Sequence, residues 1–252
     1  MLEKLIGAVK FVTSQFIKKH EQFAYIRRYK SDLKNSCSTF FKSVVKNGEF
    51  KGHELISKND RFLCDNEVCG YAMTLSTAQD LKSSNFDDVK NIIFDEFIID
   101  EGQKKYYLHN EVDVFLNLIE TIARLRKVRI FMLGNAGNLV TNPYFLYFDL
   151  TLPYNSDIRT FKDGLILLQY MDNKEYRKEK STTPFGRLVA GTPYEKFAIE
   201  NKDKRISDNS FIEKKKATSK FYMSFIYKGQ TYGVWEDTVE RKTLCIKRLY
   251  KK

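Results

Sequence analysis

The sequence predicts an α/β protein whose mainly parallel sheet is flanked by helices, followed by a small second domain of strands, with or without helices. Three observations lead to this prediction. Apolar runs of strand length alternate with amphipathic segments of helix length through the first 135 residues. One of these runs ends in two adjacent acids, Asp95 and Glu96. A charged stretch poor in apolar residues begins near residue 200, so we divide the chain into domains at 1–200 and 201–252.

The composition is that of a soluble globular protein with a basic surface. The chain has 252 residues, enough for one large domain and a small appendage, and 42% of them are hydrophobic. Its net charge of +11 comes from basic residues concentrated at the two ends. Lysines and arginines of this kind either bind a polyanion such as DNA or are simply solvated, and charge alone leaves both readings open.

Several classes of protein are disfavoured by the sequence. No apolar run reaches the roughly 18 residues of a membrane span, and the N-terminus lacks the layout of a signal peptide. The four cysteines are scattered, the histidines are isolated, and Cys64 and Cys69 lack the two-residue spacing of a zinc knuckle. We therefore expect reduced thiols in a cytoplasm and no metal-ligand cluster.

The first half of the chain begins with a helix and continues into strands. Apolar residues recur at helical spacing over 3–19, and a strand is predicted at 22–27. A second helix is predicted from the cap Ser31-Asp32 to Asn47-Gly48. Short strands are then predicted at 54–57, 61–64 and 68–75, followed by a loop or short helix over 76–88.

The second half alternates strands with one strong helix. A buried strand is predicted at 89–94, an amphipathic helix at 111–125 and a further buried strand at 128–133. Later strands are predicted at 164–170, 220–227, 231–235 and 243–249.

The polar residues that follow two of the strands form the main candidate site. Asp95 and Glu96 end one strand, and Asn135 follows the next. The carboxyl ends of parallel strands meet at one edge of a sheet, where ligands gather. There the first acid would hold Mg²⁺ and the second would activate water. The alternative is that one acid caps the next segment and the other is solvated.

Two groups of basic residues are further candidates. Arg124, Arg126 and Arg129 surround the end of the predicted helix 111–125, where cations are generally favoured, although one of them could reach a neighbouring subunit's phosphates. Arg27, Arg28 and Lys30 leave the strand 22–27 at the same sheet edge as the acids. They could contact phosphate or DNA, or could be solvated.

Six segments in order carry a resemblance to a known family: EQFAYIRRYK (21–30), IIFDEF (92–97), NEVDVFLNLIET (110–121), GNAGNLVTNPYF (134–145), FGRLVAGTPY (185–194) and YGVW (232–235). Together they resemble the DNA-encapsidation ATPases of small podophages. The resemblance implies an ASCE-type P-loop ATPase with a C-terminal domain of degenerate, RNase H-like nuclease fold. It also implies a homomeric ring, generally pentameric, that acts on double-stranded DNA in the host cytoplasm. Such a ring docks on the procapsid portal with a packaging RNA.

The resemblance also implies roles for individual residues. Asp95 matches the Walker B aspartate that holds Mg²⁺, and Glu96 matches the catalytic glutamate. Asn135 matches the polar residue of the coupling motif. Arg124 is similar to the family's trans-acting arginine finger, and Lys82 to a second trans-acting cation at the ATP.

The phosphate-binding half of the family's site differs in this chain. No G-x-x-x-x-G-K-[ST] pattern occurs anywhere in it. The family's P-loop lysine falls on Lys4, with Glu3 where glycine belongs and Leu5 where serine or threonine belongs. The preceding strand is missing and the second domain stops early. We therefore expect an ATPase domain truncated at both ends, with weak ATP binding.

Two other functions compete with the packaging ATPase. One is a non-hydrolysing DNA-binding or ring-structural relative whose nucleotide site has decayed; the retained Asp95, Glu96 and Asn135 argue against it. The other is a two-metal nuclease, which is disfavoured because no further acid occupies a matching strand end.

Overall fold

The computed structural model of the chain describes residues 2–82, 84–99, 105–135, 142–151, 158–170, 174–192, 195, 218–227, 230–237, 239 and 242–247. The chain divides into two compact units, Met1–Asp203 and Lys204–Lys252. Among the described residues, every helix is too short or too polar to cross a membrane.

The first unit contains seven α-helices, one 3-10 helix and eight strands among its described residues. The elements as far as residue 81 are α1 (Leu2–Lys19), β1 (Gln22–Arg27), α2 (Lys30–Cys37), α3 (Lys42–Lys46), β2 (Leu55–Lys58), β3 (Arg61–Cys64), β4 (Glu67–Thr74) and a 3-10 helix (Leu75–Leu81). The remaining ones are β5 (Val89–Asp95), α4 (Glu111–Ala123), β6 (Arg129–Leu133), α5 (Pro143–Tyr147), β7 (Ile158–Phe161), β8 (Ile166–Gln169), α6 (Lys174–Thr182) and α7 (Pro184–Val189).

A six-stranded sheet organises this unit, in the order β2-β3-β4-β1-β5-β6. The four strands from β4 to β6 run parallel, and β2 and β3 continue the sheet as an antiparallel edge. The central strand β1 pairs Phe23 with Gly70 of β4 and Ile26 with Phe94 of β5. The predicted fold class, a mainly parallel sheet flanked by helices, is confirmed.

The two faces of the sheet are both buried, which explains why β1 and β5 are nearly continuous apolar runs. Side chains alternate between the faces. Phe23 and Tyr25 pack in the cluster that includes α1, α2 and α3. Ala24 and Ile26 pack in the cluster that includes α4. Full burial of such side chains is worth about 1.5–3 kcal/mol each.

Helix α4 covers the second face through an apolar stripe. Its buried residues Val112, Phe115, Leu118 and Ile122 recur every three or four positions, which places them on one side of a helix. The ring of Phe115 stacks on that of Phe94 in β5, with centroids 5.2 Å apart. This stripe fixes α4 along the strands.

The single helix predicted from residue 31 to residue 47 is wrong, because the chain forms α2 and α3 with a turn between them. The turn contains Phe40 and Phe41, which are 4% and 5% exposed. Both rings pack against Phe62, at centroid distances of 4.2 and 5.6 Å. Adjacent residues of a continuous helix point about 100° apart, so an unbroken helix could not bury both rings on one neighbour.

Several elements after residue 142 were not predicted. Strand β7 pairs with the predicted β8, but its residues are largely exposed and form no apolar run. Helices α5 and α7 begin after Asn142 and Thr183, whose side chains accept hydrogen bonds from Phe145 N and Gly186 N. A proline follows each capping residue, which is a recognisable start signal.

The second unit contains a three-stranded antiparallel sheet of β9 (Ser219–Tyr227), β10 (Gln230–Asp237) and β11 (Lys242–Lys247), with β10 in the middle. These strands match those predicted near residues 220, 231 and 243. Trp235 is 6% exposed and packs edge-on against Phe221, at a centroid distance of 5.5 Å. Its ring covers Gly233, where a Cβ would come within 2.3 Å of the indole. The strand needs glycine at this position.

Replacement of Gly70 by alanine is expected to destabilise the first unit by about 1–3 kcal/mol, because overpacking forces neighbouring atoms to move. A Cβ at Gly70 would lie 2.7 Å from the ring of Phe23, which is fully buried and cannot swing away. Urea denaturation followed by circular dichroism measures the change.

The matched control is Gly7→Ala in α1, where a Cβ meets nothing within 4 Å. Alanine has the higher helix propensity, so this variant should be more stable by up to about 1 kcal/mol. Equal effects of the two substitutions would contradict the packing argument.

Candidate active site

Asp95 lies at the carboxyl end of β5 and is almost completely buried, at 2% exposure. Its Oδ2 accepts two hydrogen bonds, from Tyr25 Oη at 3.0 Å and from Arg27 Nη1 at 2.6 Å. Both donors come from β1, two residues apart, so they lie on the same face of the neighbouring strand. The sheet therefore fixes the orientation of this carboxylate.

Arg27 links the two acids of the candidate site. Its Nη1 binds Asp95, and its Nη2 donates to Glu96 Oε2 at 2.6 Å. Burial by itself would lower the pKa of Arg27, but the phenol of Tyr25 and the two carboxylates raise it above the ordinary value. The guanidinium is therefore permanently charged and compensates a pair of acids that would otherwise repel each other.

Tyr25 is a hydrogen-bond donor at any physiological pH. Burial raises the pKa of its phenol, and the charge of Asp95 raises it further. The hydroxyl therefore keeps its proton and directs it at the carboxylate. Sequence reasoning did not identify Tyr25, although its spacing of two residues from Arg27 within a strand was visible.

The other oxygen of Asp95, Oδ1, is buried and finds no hydrogen-bond partner among the described residues. A buried carboxylate oxygen without a partner is costly unless a cation or water satisfies it. Mg²⁺ takes oxygen ligands and is commonly held by one or two carboxylates together with phosphates and water. The donor chemistry of Asp95 therefore fits Mg²⁺.

Glu96 lies in a left-handed backbone conformation, with φ at +56°. For a residue other than glycine such a conformation costs about 1–3 kcal/mol, so its surroundings must hold it. The backbone around it is fixed by Phe97 N, which donates to Leu133 O at 3.2 Å, and by Arg28, which donates to Glu96 O at 3.0 Å. Its side chain is one-third exposed and can reach solvent.

Arg28 forms a buried ion pair that ties β1 to α4. Its guanidinium binds both oxygens of Glu111 at 2.7 and 2.9 Å and also donates to Phe97 O at 2.9 Å. The side chains of Arg28 and Glu111 are 4% and 1% exposed. Arg28 lies over the ring of Tyr107 as well, 5.0 Å from its centroid. All three nitrogen atoms of the Arg28 guanidinium donate hydrogen bonds within the protein.

Contact of Arg27 and Arg28 with phosphate or DNA stays a prediction. Both guanidinium groups are largely buried and paired with carboxylates, so neither is freely exposed to an outside phosphate. Lys30, at the start of α2, is exposed and remains a candidate contact. Sequence alone could not separate the three, because the distinction depends on how β1 pairs with β5.

Glu111 completes the network at the start of α4. Besides Arg28 it accepts hydrogen bonds from Leu108 N at 2.9 Å and from Tyr144 Oη at 3.0 Å. A carboxylate at the N-terminus of a helix is also favoured by the helix dipole. Sequence reasoning did not identify Glu111, which looked like an ordinary acid in the first turn.

Lys4 lies in the first turn of α1, at the same edge of the sheet as Asp95. Its Nζ donates to Gly134 O, just beyond β6, at 2.9 Å. Burial lowers the pKa of this lysine. Asn135 follows Gly134 and is partly buried. The residues predicted for the nucleotide site from α1, β5 and β6 therefore meet at one edge.

Arg124 lies at the opposite end of the unit. Helix α4 begins at Glu111, beside the carboxyl end of β1, and its 13 residues span about 20 Å. Near its far end Arg126 donates to Phe86 O at 3.0 Å, just before β5 begins. Arg124 is exposed there, and Lys82 is exposed after the 3-10 helix. Arg124 cannot reach Asp95 of its own chain.

Arg28→Ala is expected to destabilise the first unit by about 3–5 kcal/mol, because it leaves the buried charge of Glu111 without its partner. The matched control is Arg129→Ala, which removes an arginine from a half-exposed pair with Glu21 and should cost about 0–1 kcal/mol. Urea denaturation of both variants gives the comparison. Similar losses would contradict the argument that removal of Arg28 leaves a costly unpaired charge on Glu111.

Comparison with known proteins identifies the family of the chain. The family model described as podovirus DNA encapsidation protein (Gp16) matches residues 2–251. The DNA packaging protein of Bacillus phage phi29 is 41% identical over 226 residues, which is 89% of this chain and 65% of that protein. The DNA packaging protein of Bacillus phage B103 is 40% identical over 230 residues, covering 91% and 69% of the two chains. The chain thus spans about two thirds of these relatives.

Solved structures give the same relationship. The N-terminal domain of the DNA packaging ATPase from bacteriophage phi29 superposes with a TM-score of 0.61 at 36% identity, over 68% of this chain and 86% of that one. A chain of the phi29 viral genome packaging motor assembly gives a TM-score of 0.66 at 35% identity, over 98% and 73%. The protein belongs to the podovirus DNA encapsidation protein (Gp16) family.

Proposed function

We propose that this chain is the ATPase subunit of a viral motor that couples ATP hydrolysis to the movement of double-stranded DNA into a procapsid. The observation that carries the proposal is the position of Asp95 and Glu96, linked by Arg27 at the carboxyl ends of parallel strands. Relatives named as DNA packaging proteins support the assignment.

In this proposal Asp95 would hold Mg²⁺ through Oδ1, the oxygen that lacks a partner among the described residues. Mg²⁺ held there would supply positive charge against the charge that develops on the phosphates during phosphoryl transfer. Tyr25 and Arg27 keep the other oxygen of Asp95 occupied. They therefore leave Oδ1 as the oxygen of Asp95 that is available to a cation.

Glu96 is the proposed general base that takes a proton from the attacking water. Its left-handed backbone turns the side chain out of the sheet, where it is one-third exposed. One carboxylate oxygen already accepts a hydrogen bond from Arg27 at 2.6 Å. Glu96 must therefore use its other oxygen, or separate from Arg27, before it can accept from water.

Lys4 is the proposed cation on the ATP phosphates. It lies at the start of α1, where a phosphate-binding loop would place its lysine. Leu5 cannot supply the hydroxyl that such a loop gives to Mg²⁺, and no glycine-rich loop occurs in the sequence. Full activity of this site requires a phosphate-binding loop in front of α1.

The proposed partners follow from the motor. Double-stranded DNA would be bound electrostatically, with Lys30 as a candidate contact. A homomeric, pentameric ring would dock on the procapsid portal with a packaging RNA in the host cytoplasm. A chain of the phi29 packaging motor assembly supports this proposal by its likeness to almost the whole of this protein.

The alternative function is a non-hydrolysing DNA-binding or ring-structural relative. It is favoured by the pairing of both acids with Arg27. The two functions predict different results when a phosphate-binding loop is added to the chain. The packaging ATPase should then hydrolyse ATP, and the non-hydrolysing relative should not.

Glu96→Gln should lower kcat by about 10²–10⁴-fold, because the amide cannot accept the proton of water. The substitution is made in a chain that begins with an added strand and glycine-rich loop and carries Glu3→Gly and Leu5→Ser, so that Lys4 becomes the lysine of a G-x-x-x-x-G-K-[ST] pattern. Phosphate release is measured with DNA and Mg²⁺. Binding of a fluorescent ATP analogue should persist.

The matched control for this experiment is Glu120→Gln, an isosteric change at an exposed position of α4, which should leave turnover unchanged. Normal turnover in the Glu96 variant would exclude its role as a base. An extended wild-type chain that bound nucleotide but never hydrolysed it would support the alternative function.

Arg124 is expected to act on the ATP of a neighbouring subunit, since α4 carries it to the far end of its own domain. In the extended chain, Arg124→Ala and Glu96→Gln should each be inactive alone. A mixture of the two variants forms some interfaces with an intact Glu96 and an intact Arg124, so phosphate release should return. Absence of recovery in mixed rings would exclude action in trans.

A further inference from the structure

Three potential metal ligands meet at the antiparallel edge of the six-stranded sheet, away from the nucleotide site. They are His53, which precedes β2, Cys64 at the end of β3 and Asp65 in the following turn. Strands β2 and β3 form a hairpin in which Leu55 pairs with Cys64, so the residues before β2 lie next to the end of β3. The nitrogen, sulfur and oxygen atoms lie within 4.8 Å of one another. The sequence did not predict this cluster, because its spacing follows a hairpin and not a zinc knuckle.

One carboxylate oxygen of Asp65 lies close to both the imidazole of His53 and the thiol of Cys64. Asp65 Oδ2 lies 2.7 Å from His53 Nδ1 and 3.9 Å from Cys64 Sγ. A single cation between them could therefore contact all three atoms after adjustments of about an ångström, which His53 can make at the surface.

The backbone holds the carboxylate in place. Asp65 Oδ1 accepts from Glu54 N at 2.8 Å, and Asp65 N donates to Glu54 O at 2.9 Å. Asp65 and Asn66 both have positive φ, at 51° and 67°, as the tight turn between β3 and β4 requires. Oδ2 is thereby left directed at His53 and Cys64.

The cluster is closed on one side and open on the other. Cys64 is 3% exposed and packs in the core cluster beneath the edge of the sheet. The side chains of His53 and Asp65 are 35% and 50% exposed. Such an arrangement admits an ion from solvent and leaves room for water as a further ligand.

We propose that His53 Nδ1, Cys64 Sγ and Asp65 Oδ2 bind a divalent transition-metal ion of the zinc class, with water as the fourth ligand. A thiolate and an imidazole suit Zn²⁺, whereas Mg²⁺ and Ca²⁺ prefer oxygen ligands alone. The site would join the segment before β2 to the turn after β3 and so fix the edge of the sheet. It is independent of the nucleotide site.

Binding requires the thiol to lose its proton. Burial raises the pKa of Cys64 to about 11, and the neighbouring charges of Asp65 and Glu67 contribute in the same direction. As the metal–sulfur bond forms, the S–H bond breaks and its proton passes to water. His53 would contribute the lone pair of Nδ1, so the proton that Nδ1 donates to Asp65 Oδ2 in the metal-free protein would have to pass to water, with the neutral ring carrying its proton on Nε2.

Cobalt(II) titration of the metal-free full chain tests the site. Thiolate coordination should give a near-ultraviolet sulfur-to-cobalt charge-transfer band, together with the visible bands of a tetrahedral ion. The charge-transfer band should vanish in Cys64→Ser. Affinity should fall at least about tenfold in His53→Ala, since loss of a supporting group already costs that much in other metal sites.

Two controls separate this site from general metal binding. His20 is another exposed histidine beside an acid, 3.9 Å from Glu67, so His20→Ala should titrate like the wild type. Cys37→Ser removes a different buried thiol and should keep the band. Far-ultraviolet circular dichroism confirms that each variant is folded.

A second measurement uses zinc itself. Zn²⁺, but not Mg²⁺, should raise the melting temperature of the wild type and of the controls, and should leave that of Cys64→Ser unchanged. The proposal is overturned if cobalt gives no charge-transfer band, if the band persists in Cys64→Ser, or if zinc stabilises all variants equally.

Discussion

The register between β1 and β5 is the constraint on which the rest of the first unit depends. Ile26 pairs with Phe94, so Arg27 and Arg28 emerge beside the acids at the end of β5. Consecutive residues of a strand point to opposite faces, so the first arginine reaches Asp95 and the second reaches Glu111 on α4. A shift of one residue would bury each guanidinium on the wrong face.

These ion pairs contribute geometry more than stability. The free energy lost when a buried arginine and carboxylate leave water offsets most of the free energy gained from their attraction. Removal of either partner is nevertheless costly, because it leaves the other charge buried and unpaired. Arg28 also donates hydrogen bonds to the two backbone carbonyl oxygens after β5, those of Glu96 and Phe97. That framework allows Glu96 to remain in a left-handed conformation that a free chain would leave.

Much of the fold was predictable because buried parallel strands are apolar throughout. The runs of β1 and β5 revealed their own positions and the acids at the end of β5. The strand predicted at 128–133 is present as β6, but the prediction that it is buried is wrong, because this edge strand exposes Arg129 and Ile130. The break between α2 and α3 could not be predicted from apolar runs, and neither could the burial of Arg28. The first depends on Phe62, a distant ring that packs against Phe40 and Phe41. The second depends on Glu111, 83 residues away.

Helix α4 has a mechanical consequence. It is anchored at one end by the grip of Arg28 on Glu111, and its other end leads into Arg124. A hydrogen-bonded helix of this length bends little, and its apolar stripe fixes it along the strands. The helix therefore holds its two ends about 20 Å apart. The ion pair of Arg28 with Glu111 and the exposed Arg124 are thereby kept at a fixed separation within one chain.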